Sequence, residues 1–221
     1  MKNQFLILLS TLLLISCKEK VKADKGGIDI ISNVYIGASK NLENRKTFLV
    51  SRLNYSNDTI LEIVPEPSVP EITRQRFLIL DSLCYSIDTE KEPLVSEITK
   101  NNRGTSATKK NAGAIFSTDR IQNYRNRRSL SDTVLFGKKY KRFEINSPWN
   151  YSRFYICPTD TILPYHIYPH AEEDYNGRIE RIDSYNRKKD VFVSMQLIPR
   201  KKWDDDAAKF FEFNRFAKSR K

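Results

Sequence analysis

The sequence predicts an α+β fold that is mostly antiparallel β: a curved sheet or half-barrel with a C-terminal amphipathic helix packed on it. Three observations carry this. Short runs rich in β-branched and aromatic residues recur along the chain, bounded by polar turn residues. The turns are too short for the helical crossovers that a parallel sheet needs. Only the last stretch, WDDDAAKFFEFNRFAKSRK, spaces its aromatic residues at helical period.

The first element is a leader. Lys2 gives it a positive start, and Phe5 to Ile15 is an apolar run broken only by Ser10 and Thr11. Eleven helical residues rise about 16 Å, too short for a hydrocarbon core of ~30 Å, so the run reads as a signal-peptide core rather than a permanent span. It ends Leu14-Ile15-Ser16-Cys17. Here the chain resembles bacterial lipoproteins, whose lipobox places Leu at −3, a small residue at −1 and Cys at +1. Ile15 at −2 departs from the preferred Ala or Ser. The resemblance implies that residues 1–16 are removed and that Cys17 is acylated. Several acyl chains then anchor the protein, at ~0.8 kcal/mol for each buried CH₂. No Asp follows Cys17, so nothing there signals retention at the inner membrane. Lys18-Glu19 partly matches the acidic export signal of Bacteroidota surface lipoproteins. The resemblance therefore implies a lipid-anchored envelope protein, expected at the outer membrane, with its periplasmic or surface orientation left open.

Residues 17–27 read as the lipidated Cys and a flexible tether, because KEKVKADKGG buries almost nothing. Residues 28–221 read as one β-rich domain. Ile28 to Ile36 is a first strand. TFLVSRLNY and TILEIV flank Ser56-Asn57-Asp58 as a hairpin, which Pro65 to Pro70 ends. Residues 72–87 fit both strand and helical periods, and Phe77 to Ile87 is taken as strand. Residues 101–128 carry seven basic residues, lack an apolar period and read as a long mobile loop with a short helix near Asp119 to Tyr124. TVLFGKKYKRFEINS gives two strands around Gly137-Lys138-Lys139, and SRFYIC gives another. GRIERIDSY and VFVSMQLIP form a hairpin across NRKKD. Asp204 is a natural N-cap for the last helix, whose Asp205 and Asp206 favour the positive end of its dipole. The hairpin-rich sheet with one covering helix is similar in layout to the LolA and LolB lipoprotein carriers, though no motif of those proteins is present.

Composition bounds the chemistry. The chain has 221 residues and a net charge of +11, with 39% hydrophobic and 29% charged residues. At an envelope such a charge meets lipopolysaccharide, anionic glycans or another envelope protein; nucleic acid is not expected there. Arg103, Lys109, Lys110, Arg125, Arg127 and Arg128 are the candidates for contact with an anionic partner. With Cys17 lipidated, Cys84 and Cys157 are left either free or paired. His166, His170 and Asp174 form the sharpest polar cluster, but Pro169 breaks the helix that would put both imidazoles on one face, so no metal site is expected. Trp149, Tyr151, Tyr165 and Tyr168 fall in predicted loops and are candidates for stacking on a glycan or lining an apolar cleft. The sequence has no G-x-S-x-G, P-loop, G-x-G-x-x-G, H-E-x-x-H or C-x-x-C motif. The expectation is a non-enzymatic binding or scaffolding protein without a cofactor. The alternatives are a carrier of a lipid or hydrophobic ligand, and a hydrolase of envelope glycan or lipid.

Overall fold

The computed structural model describes residues 19–88 and 93–219. The leader and Cys17 lie outside the described residues, and so does the cleavage expected between them.

Ten of the strands form two antiparallel meanders. The first comprises β2 (Lys25–Ile36), β3 (Arg45–Ser56), β4 (Thr59–Glu66), β5 (Val69–Leu80) and β6 (Leu83–Ile87), and the short β7 (Thr105–Ser106) adds to its edge. The second comprises β8 (Arg128–Leu135), β9 (Lys138–Asn146), β10 (Asn150–Pro158), β12 (Gly177–Asn186) and β13 (Val191–Arg200). They join into one eleven-stranded sheet in the order β7-β6-β5-β4-β3-β2-β13-β12-β10-β9-β8. The seam is β2 against β13, from Val191 opposite Ile36 to Arg200 opposite Gly27. Among the described residues β7 and β8 remain as edges, so the sheet curls without closing into a barrel.

The alternation of side chains explains both faces. In β4, Ile60, Glu62 and Val64 point to the inner face, while Leu61 and Ile63 point out. The inner face carries the larger core, with Ile28, Leu53, Ile60, Phe77, Phe143, Phe154, Ile156 and Ile179. On the outer face of the first meander, α1 (Val95–Asn101) and α3 (Asp205–Ser219) cover Leu61, Leu78 and Ile87 with Ile98, Ala207, Phe210 and Phe211. The predicted C-terminal helix is therefore present and packed on the sheet. Asp204 caps it as read from the sequence, its Oδ1 accepting from Ala207 N–H at 2.9 Å.

Residues 72–87 are strand, but as a hairpin. Asp81 and Ser82 both have positive φ (49° and 66°), the geometry of a two-residue turn between β5 and β6. The prolines of residues 65–70 do not end the ladder. Pro65 sits where the ladder's register breaks, between Val64 and Glu66, Pro67 is in the β4–β5 turn, and Pro70 is the second residue of β5.

Two segments differ from their sequence readings. The expected tether is structured from Val21: β1 (Val21–Lys22) pairs in parallel with β11 (Thr161–Ile162), and β2 begins at Lys25. The glycines there permit close approach rather than freedom. A Cβ on Gly26 would sit 2.5 Å from the Arg200 carbonyl and 2.6 Å from Tyr55 Oη. The segment 101–128, read as a mobile loop, is laid into the curl of the sheet as a plug. Ala107, Ala114 and Ile121 are buried in the inner core, where Ala112, Phe116 and Tyr124 pack beside them. Its short helix is a 3₁₀ turn at Tyr124–Asn126, later than expected. Its core contacts are scattered, alanines at 107, 112 and 114 and larger residues at 116, 121 and 124, and that spacing leaves no apolar period to read.

Lys110 pins the plug. Its side chain is 2% exposed and faces Glu62, which is 0% exposed, with Nζ 2.8 Å and 3.0 Å from the two carboxylate oxygens. The ammonium also donates to the Ala112 carbonyl and lies 5.1 Å and 5.6 Å from the ring centroids of Phe77 and Phe116. Ser51 Oγ at 2.7 Å and Ala114 N–H at 2.6 Å both donate to Glu62 Oε1, which leaves Oε2 with the Lys110 ammonium as its neighbour. Gly113 makes the approach possible: it has φ of 74°, and a Cβ there would lie 2.1 Å from Glu62 Oε1.

Candidate functional site

The plug fills the inner face only in part. At the end of the curl formed by β9, β10, β12 and β13, a hollow of about 460 Å³ remains open. Strand register builds its wall in layers. Phe154 and Ile182 are cross-strand neighbours at the bottom; Ile145, Ser152, Ser184 and Val193 come next; Asn150, Asn186 and Val191 lie at the mouth. The wall thus grades from apolar to polar. Ser152 Oγ and Ser184 Oγ are 3.2 Å apart across the middle layer. Tyr168 sits edge-on to Phe154 with ring centroids 6.1 Å apart, and Ile121 of the plug forms the other side. Lys189, at the β12–β13 turn, is the one side chain carrying a full charge in this lining. Such a cavity can take a compact ligand with an apolar end below and hydrogen-bonding groups above.

The sequence candidates fall in different places. Tyr168 lines the hollow. Trp149 is at the β9–β10 turn, 66% exposed, and outside the lining of the hollow. Tyr151 is on the outer face, its hydroxyl donating to Glu144 at 2.6 Å, which helps raise its pKa to about 12 after the larger effect of burial. Tyr165 is 3% exposed and donates to the Ile115 carbonyl, so it belongs to the core.

The six basic candidates do not form one surface. Lys110 is spent on Glu62. Arg127 lies over the Tyr124 ring at 4.1 Å and pairs with Asp174 at 3.2 Å, and Arg128 pairs with Glu144. Arg103, Lys109 and Arg125 are exposed.

His166, His170 and Asp174 do not converge, and no group of three or more potential metal ligands occurs among the described residues. The helix that Pro169 starts, α2 (Pro169–Asp174), leaves His166 outside it. His170 Nε2 accepts from Ile121 N–H at 3.4 Å and its ring meets Tyr124 edge-on; burial, then the nearby Arg120, hold its pKa below the ordinary value. Asp174 accepts from Tyr124 Oη at 2.9 Å. His166 pairs instead with Glu172 through Nδ1, and Glu172 Oε1 accepts from Ile179 N–H at 3.0 Å. This imidazole faces a smaller pocket of about 220 Å³, lined also by Lys20, Thr159, Thr161, Glu173 and Arg178. A buried carboxylate on Nδ1 fixes the ring and leaves Nε2 toward that pocket. Cys84 is buried in the inner core and Cys157 lies on the outer face; both are free thiols, and burial pushes Cys84 up to about 11.

Sequence reasoning missed Ser152, Ser184, Asn150 and Asn186, and the pairing of Glu172 with His166. A signal for the first four was present. Asn150-x-Ser152-x-Phe154 and Ile182-x-Ser184-x-Asn186 are mirror images at strand period, and an antiparallel pairing stacks them layer on layer.

No family model matches the chain, and no curated protein matches it either. Among solved structures it is similar to LprF from Mycobacterium bovis, at 11% identity and a TM-score of 0.33, over 78% of this chain and 84% of that one. It is also similar to a Vibrio parahaemolyticus domain described as belonging to an outer membrane lipoprotein-sorting protein, at 13% identity and a TM-score of 0.28, over 82% and 88%. These likenesses are too distant to bring a function across.

Proposed function

We propose that this chain is a lipid-anchored protein of the cell envelope that binds, without catalysis, a compact amphiphilic ligand in its open hollow. The observation that carries the reading is the graded wall: Phe154 and Ile182 below, Ser152 and Ser184 between, Asn150 and Asn186 at the mouth. The lipobox at Cys17 supports the address. Lys189 at the rim favours a ligand whose polar end is neutral or anionic. The plug supports a compact occupant, because it takes up the inner face where a long chain would otherwise lie. A carrier of a small hydrophobic group would use the same hollow. The test is co-purification of the lipidated protein from its native membranes, with mass spectrometry of what accompanies it. Ser184→Trp, which fills the hollow from the middle layer, is expected to abolish the co-purifying molecule while leaving the protein in the membrane fraction. Retention of the same molecule by Ser184→Trp at wild-type yield would sink the reading.

A second reading, a hydrolase of envelope glycan or lipid, is supported by the His166–Glu172 pair. With Nδ1 held by the carboxylate, Nε2 could accept a proton from a water in the pocket. Incubation of the protein with envelope glycans and phospholipids tests it. Product formation that His166→Gln eliminates would favour hydrolysis, and no turnover of either class would dismiss it.

A further inference from the structure

On the outer side of the molecule, α3 and the β3–β4 turn enclose a groove of about 350 Å³ that neither reading above uses. Its wall is apolar: Trp203 and Phe211, with ring centroids 4.8 Å apart, and Val95. Its rim carries Arg215 and Lys218 from the last turns of α3, with Ser56, Asn57 and Thr59 opposite. Among the described residues no carboxylate lines it, and both cations are exposed. The macrodipole accounts for a cation at Lys218, at the end of the helix, but two cations over an aromatic wall, with no carboxylate of the described residues in the lining, go beyond that need.

The groove also lies at the root of the N-terminal segment. Asn57 N–H donates to the Asp24 carbonyl at 2.6 Å, Lys22 pairs with Asp58 at 2.6 Å, and Lys25 sits 5.5 Å above the Trp203 ring. Because Val21 is already fixed in β1, four residue steps separate it from Cys17, a reach of at most about 14 Å. Lys20 lines the His166 pocket and Lys22 holds Asp58 of the β3–β4 turn, so a chain anchored at Cys17 leaves the domain between that pocket and the rim of the groove, with both within reach of the bilayer surface.

We propose that the groove binds the phosphate of an anionic phospholipid in the membrane that holds the anchor, with Arg215 and Lys218 on the phosphate and Trp203 against the glycerol and upper acyl region. Anchoring through lipid is then joined by a second, charge-dependent contact that fixes the orientation of the domain. The inference rests on the anchor at Cys17, whose acylation is checked separately by the intact mass of the purified protein.

The test uses the lipidated full chain carrying Trp149→Phe, so that Trp203 is its sole tryptophan. It is reconstituted in nanodiscs of brominated phosphatidylglycerol or of brominated phosphatidylcholine. Expected is quenching of Trp203 in phosphatidylglycerol discs that weakens roughly fivefold for each cation removed by Arg215→Gln and Lys218→Gln. The exchanged pair, Arg215→Lys with Lys218→Arg, is expected to keep the quenching, which separates charge from misfolding. Equal quenching in both lipids, or quenching that survives loss of both cations, overturns the proposal. So does a Trp203 response to inorganic phosphate that matches the response to phosphatidylglycerol, since a soluble anion would then be the ligand. An unmodified Cys17 by mass would fault the anchor alone, and the lipid preference would still be read from the discs.

Discussion

At the scale of single residues, the Lys110–Glu62 pair is an arrangement that costs desolvation on both sides. Both charges have left water, and their contact, with the Ser51 and Ala114 donors on Glu62 Oε1 and the Ala112 carbonyl on the ammonium, offsets that loss. Lys110→Met is therefore expected to lower stability by about 3–5 kcal/mol, through the uncompensated carboxylate. Adding Glu62→Gln to it should recover at least half of the loss, as urea unfolding of the two variants would show. Equal instability of the single and double variants would mean that the cation's contacts with Phe77 and Phe116 matter more than its charge. Glu62 was in plain view in the run TILEIV, and Lys110 in a basic stretch. Nothing in the sequence couples them, because pairing two residues from distant segments requires the fold itself. The same reason hid the His166–Glu172 contact: six residues separate them, yet Pro169 made them look unrelated.

At the scale of elements, the hairpins were legible and the plug was not. Where adjacent strands pair through a short turn, the turn residues and the period of two are both local. Residues 186–190 and 56–58 were recognisable on those grounds. The plug's order comes instead from the surface it lies on. α1 was also missed, since Ile98 is its one fully buried residue and seven residues cannot hold a helix alone. It is held by α3. Asn214 Oδ1 accepts from Val95 N–H at 2.7 Å, and its amide donates to the Phe210 and Pro93 carbonyls at 3.0 Å and 3.3 Å. Asn214→Ala leaves those groups without partners and is expected to cost about 1–3 kcal/mol. Hydrogen exchange should rise first in residues 95–101, ahead of the sheet. Uniform acceleration across both elements would show that α1 and α3 open as one unit.

At the scale of the whole molecule, acid acts in two stages. His170 is depressed by burial and Arg120, so the unfolded chain takes up its proton first. Stability should begin to fall as pH drops below about 6.5, and this part of the loss is complete at the folded value. Burial alone would raise Glu144 and Glu180, but hydrogen bonds from Tyr151, Arg128 and Arg153 to the first, and from Arg178, Tyr140 and Lys138 to the second, bring both below the ordinary carboxylate range. Their contribution is whole above about 4.3 and is lost as pH falls from there through their folded values. Melting temperature measured against pH should show both stages, and His170→Asn should erase only the upper one. A curve flat from neutrality to pH 5 would rule out the histidine stage. The seam between β2 and β13 has a consequence in time. The earliest long strand must wait for the latest before the two meanders become one sheet, so assembly depends on the most distant contacts in the chain and belongs to the slow, millisecond-to-second class. A nascent or partly threaded chain therefore exposes β2 as an open edge until β13 has emerged, which makes a holding chaperone most useful for this protein in the interval between those two strands.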